Sequence, residues 1–314
     1  MPARMSSSPR ARSPTPSPDG SARLPQPLRP DKRAARRAFG RAAPGYDAHS
    51  VLQREVGNRL LQHLEPIRID PQRVIDLGCG TGAFFAPLRE RYPRSRVVGI
   101  DAAWPMLREA RRRAPWWRAA FGRSATLLAC ADAERLPLPR ECAQLAISNL
   151  MLQWCDAPAV FAEAARVLEV GGLFLFSTFG PDTLRELRAA FAATDSAPHV
   201  NEFVDMHDLG DALVHAGFAD PVMEMETLTL EYGSVEAIAR DLRAGGGHNV
   251  LPGRARGLGG RRRWSEMAER YEKHRRAGAL PATYEVVYGH AWKAAPRTTA
   301  DGRQVVAFHR DRPR

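Results

Sequence analysis

Val74-Ile75-Asp76-Leu77-Gly78-Cys79-Gly80-Thr81-Gly82 is an apolar run that ends in an acid and then breaks into alternating glycines before a second apolar segment begins. The pattern predicts a strand, a tight turn and a helix that together bind a nucleotide-like ligand. Glycines let the backbone turn at positive φ, and without a Cβ they let a ligand approach the main-chain N–H groups at the helix start. A dinucleotide fingerprint spaces its glycines as G-x-G-x-x-G around a pyrophosphate. Here the order is Asp-x-Gly-x-Gly-x-Gly, with the last glycine one position too early for that fingerprint.

Further acids point to a nucleoside. Arg96-Val97-Val98-Gly99-Ile100 reads as the next buried strand with Asp101 at its carboxyl end, where an acid can accept both hydroxyls of a ribose. Asp132 follows the apolar Thr126–Cys130 and is placed to meet an adenine amino group. Asp76, Asp101 and Asp132 at three strand ends ring one crevice, which is where open α/β sheets bind ligands. This constellation resembles the class I S-adenosylmethionine-dependent methyltransferases. The resemblance implies a Rossmann-like, mostly parallel seven-stranded sheet. It also implies a donor pocket built from Asp76, Gly78, Gly80, Gly82, Asp101, Ala102, Asp132, Ala133 and Asn149, with no metal.

The formal charge of +11 on 314 residues suggests a nucleic-acid partner until it is located. Residues 1–45 carry ten Arg/Lys against two Asp, and residues 296–314 carry five Arg against two Asp. Residues 46–295 hold 31 basic and 31 acidic side chains, so the basicity belongs to the tails and no nucleic-acid partner is expected. Eight prolines among Ser and Arg in residues 1–30 predict a disordered tail. No secretory h-region and no run of about 20 apolar residues is present, which predicts a cytoplasmic protein without a membrane span. Cys79, Cys130, Cys142 and Cys155 show no C-x-x-C pairing and read as reduced, structural thiols.

Around the glycine loop the periodicity predicts helices and strands in alternation. A helix is expected from Asp31, then a second in which Val51, Leu52, Val56, Leu60, Leu61 and Leu64 form a core face, with Tyr46 at the turn between them. Pro105 opens a helix with Met106, Leu107 and Ala110 inward and Arg108 and Arg111–Arg113 outward. Strands follow at Cys142–Ser148 and Leu173–Thr178, and late β segments at Val222–Tyr232 and Thr283–Trp292 pair as an antiparallel edge. Ser148–Trp154 lacks the Asn/Asp-Pro-Pro-aromatic run that holds an amine in N-methyltransferases, which favours an oxygen or carbon nucleophile.

Several narrower elements resemble the malonyl-acyl-carrier-protein O-methyltransferases of biotin synthesis. They are Phe39–Ala43 with Tyr46, the run Ser148–Cys155, Phe179-Gly180-Pro181-Asp182-Thr183-Leu184, Pro198-His199 with Phe203, and Pro281-Ala282-Thr283-Tyr284. The match runs from about residue 32 to 293. It departs at Val170, where the family has Pro, and at Gly245-Gly246-Gly247-His248-Asn249, where it has Gly-Ala-x-Asn/His. The resemblance implies a six-part layout. A tail over 1–30 precedes an N-terminal helical lid over 31–72 and a donor-binding core over 73–232. A helical insertion over 233–282 covers the substrate, 283–295 is the last strand, and 296–314 is a basic tail.

The implied acceptor is the carboxylate of malonyl-acyl carrier protein, or of malonyl coenzyme A. An ionised carboxylate needs no general base against a sulfonium methyl, so Tyr46 is expected to orient the acceptor and Phe179 to wall the site. His199 and His248 are read as surface residues. Two arginine clusters are candidates for docking an acidic carrier: Arg108 with Arg111–Arg113, and Arg254, Arg256 and Arg261–Arg263, the second being favoured. Two rivals stay open: an assembly factor or hydroxylase on the same fold that transfers no methyl group, and a carboxyl methyltransferase for another small acid.

Overall fold

A computed structural model of the protein describes residues 30–114, 126–192, 194, 198–247, 249–250 and 261–295. The expected basic tail 296–314, residues 1–29 of the expected disordered tail, and His248, Arg254 and Arg256 lie outside these residues.

Helix α1 (Lys32–Ala42) starts where Asp31 accepts a hydrogen bond from the Ala34 N–H, as an N-cap should. A 3-10 turn at Ala43–Gly45 leads to α2 (Tyr46–His49), then α3 (Val51–Gln62). Leu52, Val56 and Leu60 recur every fourth residue and are fully packed, whereas Val51, expected in the core, is 55% exposed. It sits at the first position of the helix, off the row that the other three define.

The strands are β1 (Arg73–Leu77), β2 (Arg96–Asp101), β3 (Thr126–Cys130), β4 (Ala143–Asn149), β5 (Leu168–Phe179), β6 (Phe218–Tyr232) and β7 (Leu280–Lys293). They form one seven-stranded sheet in the order β3-β2-β1-β4-β5-β7-β6. The first five pair parallel, and β7 runs antiparallel between β5 and β6. The expected α/β architecture with an antiparallel edge is what the chain adopts.

Helices cover both faces because the central strands are apolar on both sides. On one face α3, α4 (Phe85–Arg91) and α5 (Trp104–Arg113) bury Val56, Leu60, Phe85, Leu88 and Leu107. On the other, α6 (Ala157–Val167) and α8 (Met206–His215) bury Phe161, Leu213 and Phe218 against Phe174 and Phe176 of β5. Full burial of such side chains contributes about 1.5–3 kcal/mol each before the entropy of ordering them is counted.

The remaining helices are α7 (Arg185–Ala192), α9 (Val235–Ala244) and α10 (Arg261–Glu272). Met267 and Tyr271 of α10 pack with Ala190 of α7 and Ile238 of α9 in a separate small cluster.

Candidate active site

The glycine loop leaves β1 at Gly78, and its three glycines all have positive φ (72°, 53° and 80°). Gly78 and Gly80 face a cavity above the carboxyl ends of β1, β2 and β4. A Cβ at Gly80 would meet nothing within 4 Å, so this stretch of main chain is open to a ligand. Gly82 serves packing instead. A Cβ there would lie 2.5 Å from the Phe85 ring, and Gly82 does not line the cavity.

Of the residues expected at the site, Tyr46, Gly78, Gly80, Asp101, Ala102, Asp132, Ala133 and Asn149 line this one cavity. Asp76 and Phe179 do not. Asp76 is buried beneath the loop, where burial, and then the nearby Asp101 charge, push its carboxyl up to about 8. Phe179 ends β5, packed edge-on to Phe203 (5.8 Å) and tilted against Tyr284 (5.6 Å).

Asp101 is oriented by main chain. Its Oδ2 accepts from the Gly80 N–H at 3.0 Å and its Oδ1 from the Ala103 N–H at 2.7 Å. Each oxygen keeps a further lone pair for a ligand donor. Burial raises the carboxyl above its ordinary value, against these two bonds and the Arg36 charge, which lower it.

Asp132 is already engaged. Both its oxygens accept from Lys32 Nζ (2.9 and 2.8 Å), and Oδ2 also accepts from Arg36 Nη2 at 3.0 Å. Burial alone would raise this carboxyl, but the Lys32 bond and the neighbouring charges hold it below its ordinary value. Lys32 also reaches Glu134 at 2.6 Å, so α1 is fastened across the end of β3 by ion pairs. Lys32, Arg36 and Phe39 of α1 all line the cavity. Sequence reading missed Lys32 and Arg36 as wall residues, because their partner lies a hundred positions away.

Phe39 meets Trp154 edge-on at 5.2 Å and Tyr46 at 6.4 Å, which builds an aromatic corner from three separate segments. Burial, and then the Asp101 and Asp47 charges, keep the Tyr46 phenol protonated well above its usual range. The turn carrying Tyr46 is clasped to the glycine loop. Asp47 accepts from Thr81 Oγ1 at 2.7 Å and from Arg113 Nη2 at 2.7 Å, and Arg113 Nη1 also donates to the Thr81 carbonyl at 2.8 Å. Arg113, expected to point into solvent from α5, folds back to make these bonds; it is the last residue of the helix and sits beside the loop.

Asn149 Nδ2 donates to the Gln53 carbonyl at 2.9 Å, and its Oδ1 accepts from Ser177 Oγ at 2.7 Å. Its amide is thereby fixed between α3 and β5 at the cavity wall. Phe179 lies two residues beyond Ser177 along β5, about 7 Å further by strand rise. Cys155 also lines the cavity, but burial pushes its thiol up to about 12, which makes it a poor nucleophile. His199 stacks on Phe191 at 3.8 Å.

The two narrow sequence elements are one structural unit. Gly180 N–H donates to the Glu285 carbonyl (2.9 Å), Asp182 N–H to Glu285 Oε2 (2.7 Å), Leu184 N–H to the Thr283 carbonyl (2.6 Å), and the Glu285 N–H to Thr183 Oγ1 (3.1 Å). Glu186, buried, accepts from the Thr283 N–H at 3.1 Å. Arg188 closes the unit by donating to the carbonyls of Pro181 (2.7 Å) and Asn201 (3.3 Å). Tyr232 OH donates to Asp241 of α9 at 2.7 Å, which ties the insertion to β6. Among the described residues, none of 233–282 lines the cavity. Gly246 does press against the Phe39 ring, where a Cβ would come within 2.7 Å.

A family model described as a methyltransferase domain matches residues 75–176. The malonyl-[acyl-carrier protein] O-methyltransferase of Gallionella capsiferriformans (strain ES-2) is 53% identical over 277 residues, spanning 88% of this chain and 96% of its own. That of Laribacter hongkongensis (strain HLHK9) is 51% identical over 290 residues, spanning 90% and 97%. Their names do not favour the assembly-factor or hydroxylase reading. Among solved structures, the YcgJ protein of Bacillus subtilis matches with a TM-score of 0.53 at 16% identity, over 76% of this chain and all of that one. A putative methyltransferase of Bacillus halodurans C-125 matches with a TM-score of 0.51 at 17% identity, over 76% and 98%. At such identities these two structures speak for the fold alone.

Proposed function

The chain belongs to the malonyl-[acyl-carrier protein] O-methyltransferase family, and on that premise we propose that it methylates the free carboxylate of a malonyl thioester on acyl carrier protein, using S-adenosylmethionine, at the start of pimeloyl synthesis for biotin. The observation that carries the donor assignment is Asp101, a carboxylate fixed by two main-chain N–H groups with its free lone pairs at a cavity wall. A ribose offers two hydroxyl donors to such a group, and the bare main chain at Gly80 leaves room beside it. The cavity's apolar walls, Ile100, Met106 and Met151 among them, suit a flat base. The Asp101 carboxylate at the cavity wall favours a cationic ligand.

When bound, S-adenosylmethionine supplies a methyl group already activated by a positive sulfonium. The malonyl carboxylate is ionised at pH 7, so no residue need remove a proton. The protein's work is alignment and exclusion of water. Asp101 and the glycine loop fix the donor, Asn149 holds the wall between α3 and β5, and the Phe39, Tyr46 and Trp154 rings shut out solvent. Tyr46 orients the acceptor through its protonated hydroxyl, and Phe179 walls the far side beyond Ser177. In this reading residues 31–72 are the lid, 73–232 the donor-binding core and 233–282 the substrate cover. The donor pocket includes Gly78, Ala102 and Ala133, with Asp76 and Gly82 shaping it from behind.

The test is incubation with methyl-labelled donor and malonyl-acyl carrier protein, followed by mild base. Label released as methanol is expected, since only an ester gives it. Label that stays on the protein fraction, or no transfer at all, sinks the assignment.

A further inference from the structure

Helix α1 has two faces of different character. Lys32, Arg36 and Phe39 face the cavity, and Ala35 and Ala38 are buried. Arg33, Arg37 and Arg41, spaced four apart, form an exposed stripe on the other side. The helix contains no acid, and among the described residues none of these three guanidinium groups is bonded to a partner.

The stripe continues onto α5. Gly40 packs against Pro105, where a Cβ would lie 3.3 Å from the proline ring, so the two helices share a seam. On α5 the neighbouring Trp104 is 62% exposed, and Arg108, one turn on, is exposed and has no bonded partner among the described residues. An exposed indole amid unpaired arginines is the composition of an interface anchor, since Trp and Arg dominate binding energy where water is excluded. Both helices of the seam also line the cavity, α1 through Arg36 and Phe39 and α5 through Met106.

We infer that the α1–α5 seam docks the acidic carrier protein that presents the malonyl thioester. This rests on the function proposed above. Acyl carrier proteins are acidic, and an acidic helix face complements the guanidinium stripe of α1, which lies outside the charge-balanced span 46–295 and has no partner among the described residues. A carrier seated there needs to send its thioester arm past only the edge of α1. The insertion's arginines are the weaker site. Arg262 is already paired with Glu266 at 2.8 Å, and α10 packs on α7 rather than on the cavity wall.

The test uses the full chain with Arg33, Arg37 and Arg41 all changed to Glu, and separately Trp104→Ser. None of these residues lines the cavity. Binding of malonyl-acyl carrier protein is measured by calorimetry at low and high salt, alongside turnover of that substrate and of malonyl coenzyme A. The arginine variant is expected to weaken carrier binding and raise its KM by about tenfold or more, to flatten the salt dependence, and to change coenzyme A turnover less than about twofold. Trp104→Ser should weaken carrier binding without altering its salt slope.

Carrier binding that survives both variants overturns the docking site, as do equal losses with both thioesters. Tight, salt-sensitive binding of a single-stranded oligonucleotide, lost in the arginine variant while carrier binding persists, reassigns the stripe to nucleic acid and also overturns it. If the variants lose carrier binding but the parent methylates neither thioester, the docking site stands and the proposed function falls.

Discussion

Arg113 and Asp47 are joined at 2.7 Å, from the last residue of α5 to the residue after Tyr46. Both are about half exposed, at 42% and 51%, so the pair contributes no more than about 1 kcal/mol to stability. Its effect is positional, because the same guanidinium also holds the Thr81 carbonyl and hydroxyl. Arg113→Ala should leave the melting temperature within a few degrees while lowering kcat about tenfold. Arg113→Lys should do nearly as badly, since an ammonium cannot reproduce the planar fork. Tyr46→Phe should lower kcat similarly with donor affinity unchanged, which calorimetry and steady-state kinetics separate. A wild-type kcat in Arg113→Ala shows that the clasp does not serve Tyr46.

Asp101 calls for a careful choice of variant. Asp101→Ala strands the Gly80 and Ala103 N–H groups, each costing about 1–3 kcal/mol if buried without a partner. Asp101→Asn keeps the shape and one acceptor oxygen. Donor affinity should fall about tenfold or more from the loss of a charged acceptor, with a smaller stability loss than in the alanine variant. Donor affinity unchanged in Asp101→Asn rules out the ribose contact.

Asp76 sets a pH dependence of stability. Its folded carboxyl titrates near 8, against about 3.9 in an unfolded chain. Between those values the folded state keeps a proton that the unfolded state has lost, so this group's contribution is most favourable below about pH 4 and declines as pH rises to 8. Asp76→Asn should therefore be more stable than the parent at pH 8, by the order of a few kcal/mol. Urea midpoints at pH 5.5 and 8 should move apart in the parent and less in the variant. Identical pH slopes would show that Asp76 is ionised in the fold.

Gly180 and Glu285 form a coupled pair. A Cβ at Gly180 would lie 2.5 Å from Glu285 Cδ, and that carboxylate cannot swing away without leaving the Asp182 N–H. Gly180→Ala should cost about 1–2 kcal/mol. Placed on Glu285→Ala, the same change should cost little, giving a coupling energy above about 0.5 kcal/mol in a double-mutant cycle. Strict additivity means the clash is relieved elsewhere.

The sequence carried the site's floor but not its roof. Asp76 through Gly82 and the strand ends at Asp101 and Asp132 are local patterns, and apolar periodicity finds them. What brings Lys32 to Asp132, or Asp182 to Glu285, is tertiary closure over about a hundred residues, and no periodicity records it. The elements at Phe179–Leu184 and Pro281–Tyr284 were each recognisable, yet nothing in either announces that they hydrogen-bond to one another. Val51 failed as a core residue for a simpler reason. An apolar residue at the first turn of a helix satisfies the spacing rule from the sequence side, whether or not a neighbour covers it.

Strand β7 sits between β5 and β6 although it follows both in the chain. During synthesis, β5 therefore leaves the ribosome with a bare edge along Leu173–Phe179, and more than a hundred residues must emerge before Val286–Trp292 can cover it. The parallel half, with the glycine loop and Asp101, has all its neighbours much sooner. Assembly is thus asymmetric in time: the cavity of the glycine loop forms on a sheet whose apolar Phe174 and Phe176 strand still lacks its partner. Chains stalled or cleaved before residue 280 should be recognised as unfinished by their exposed edge rather than by a missing pocket.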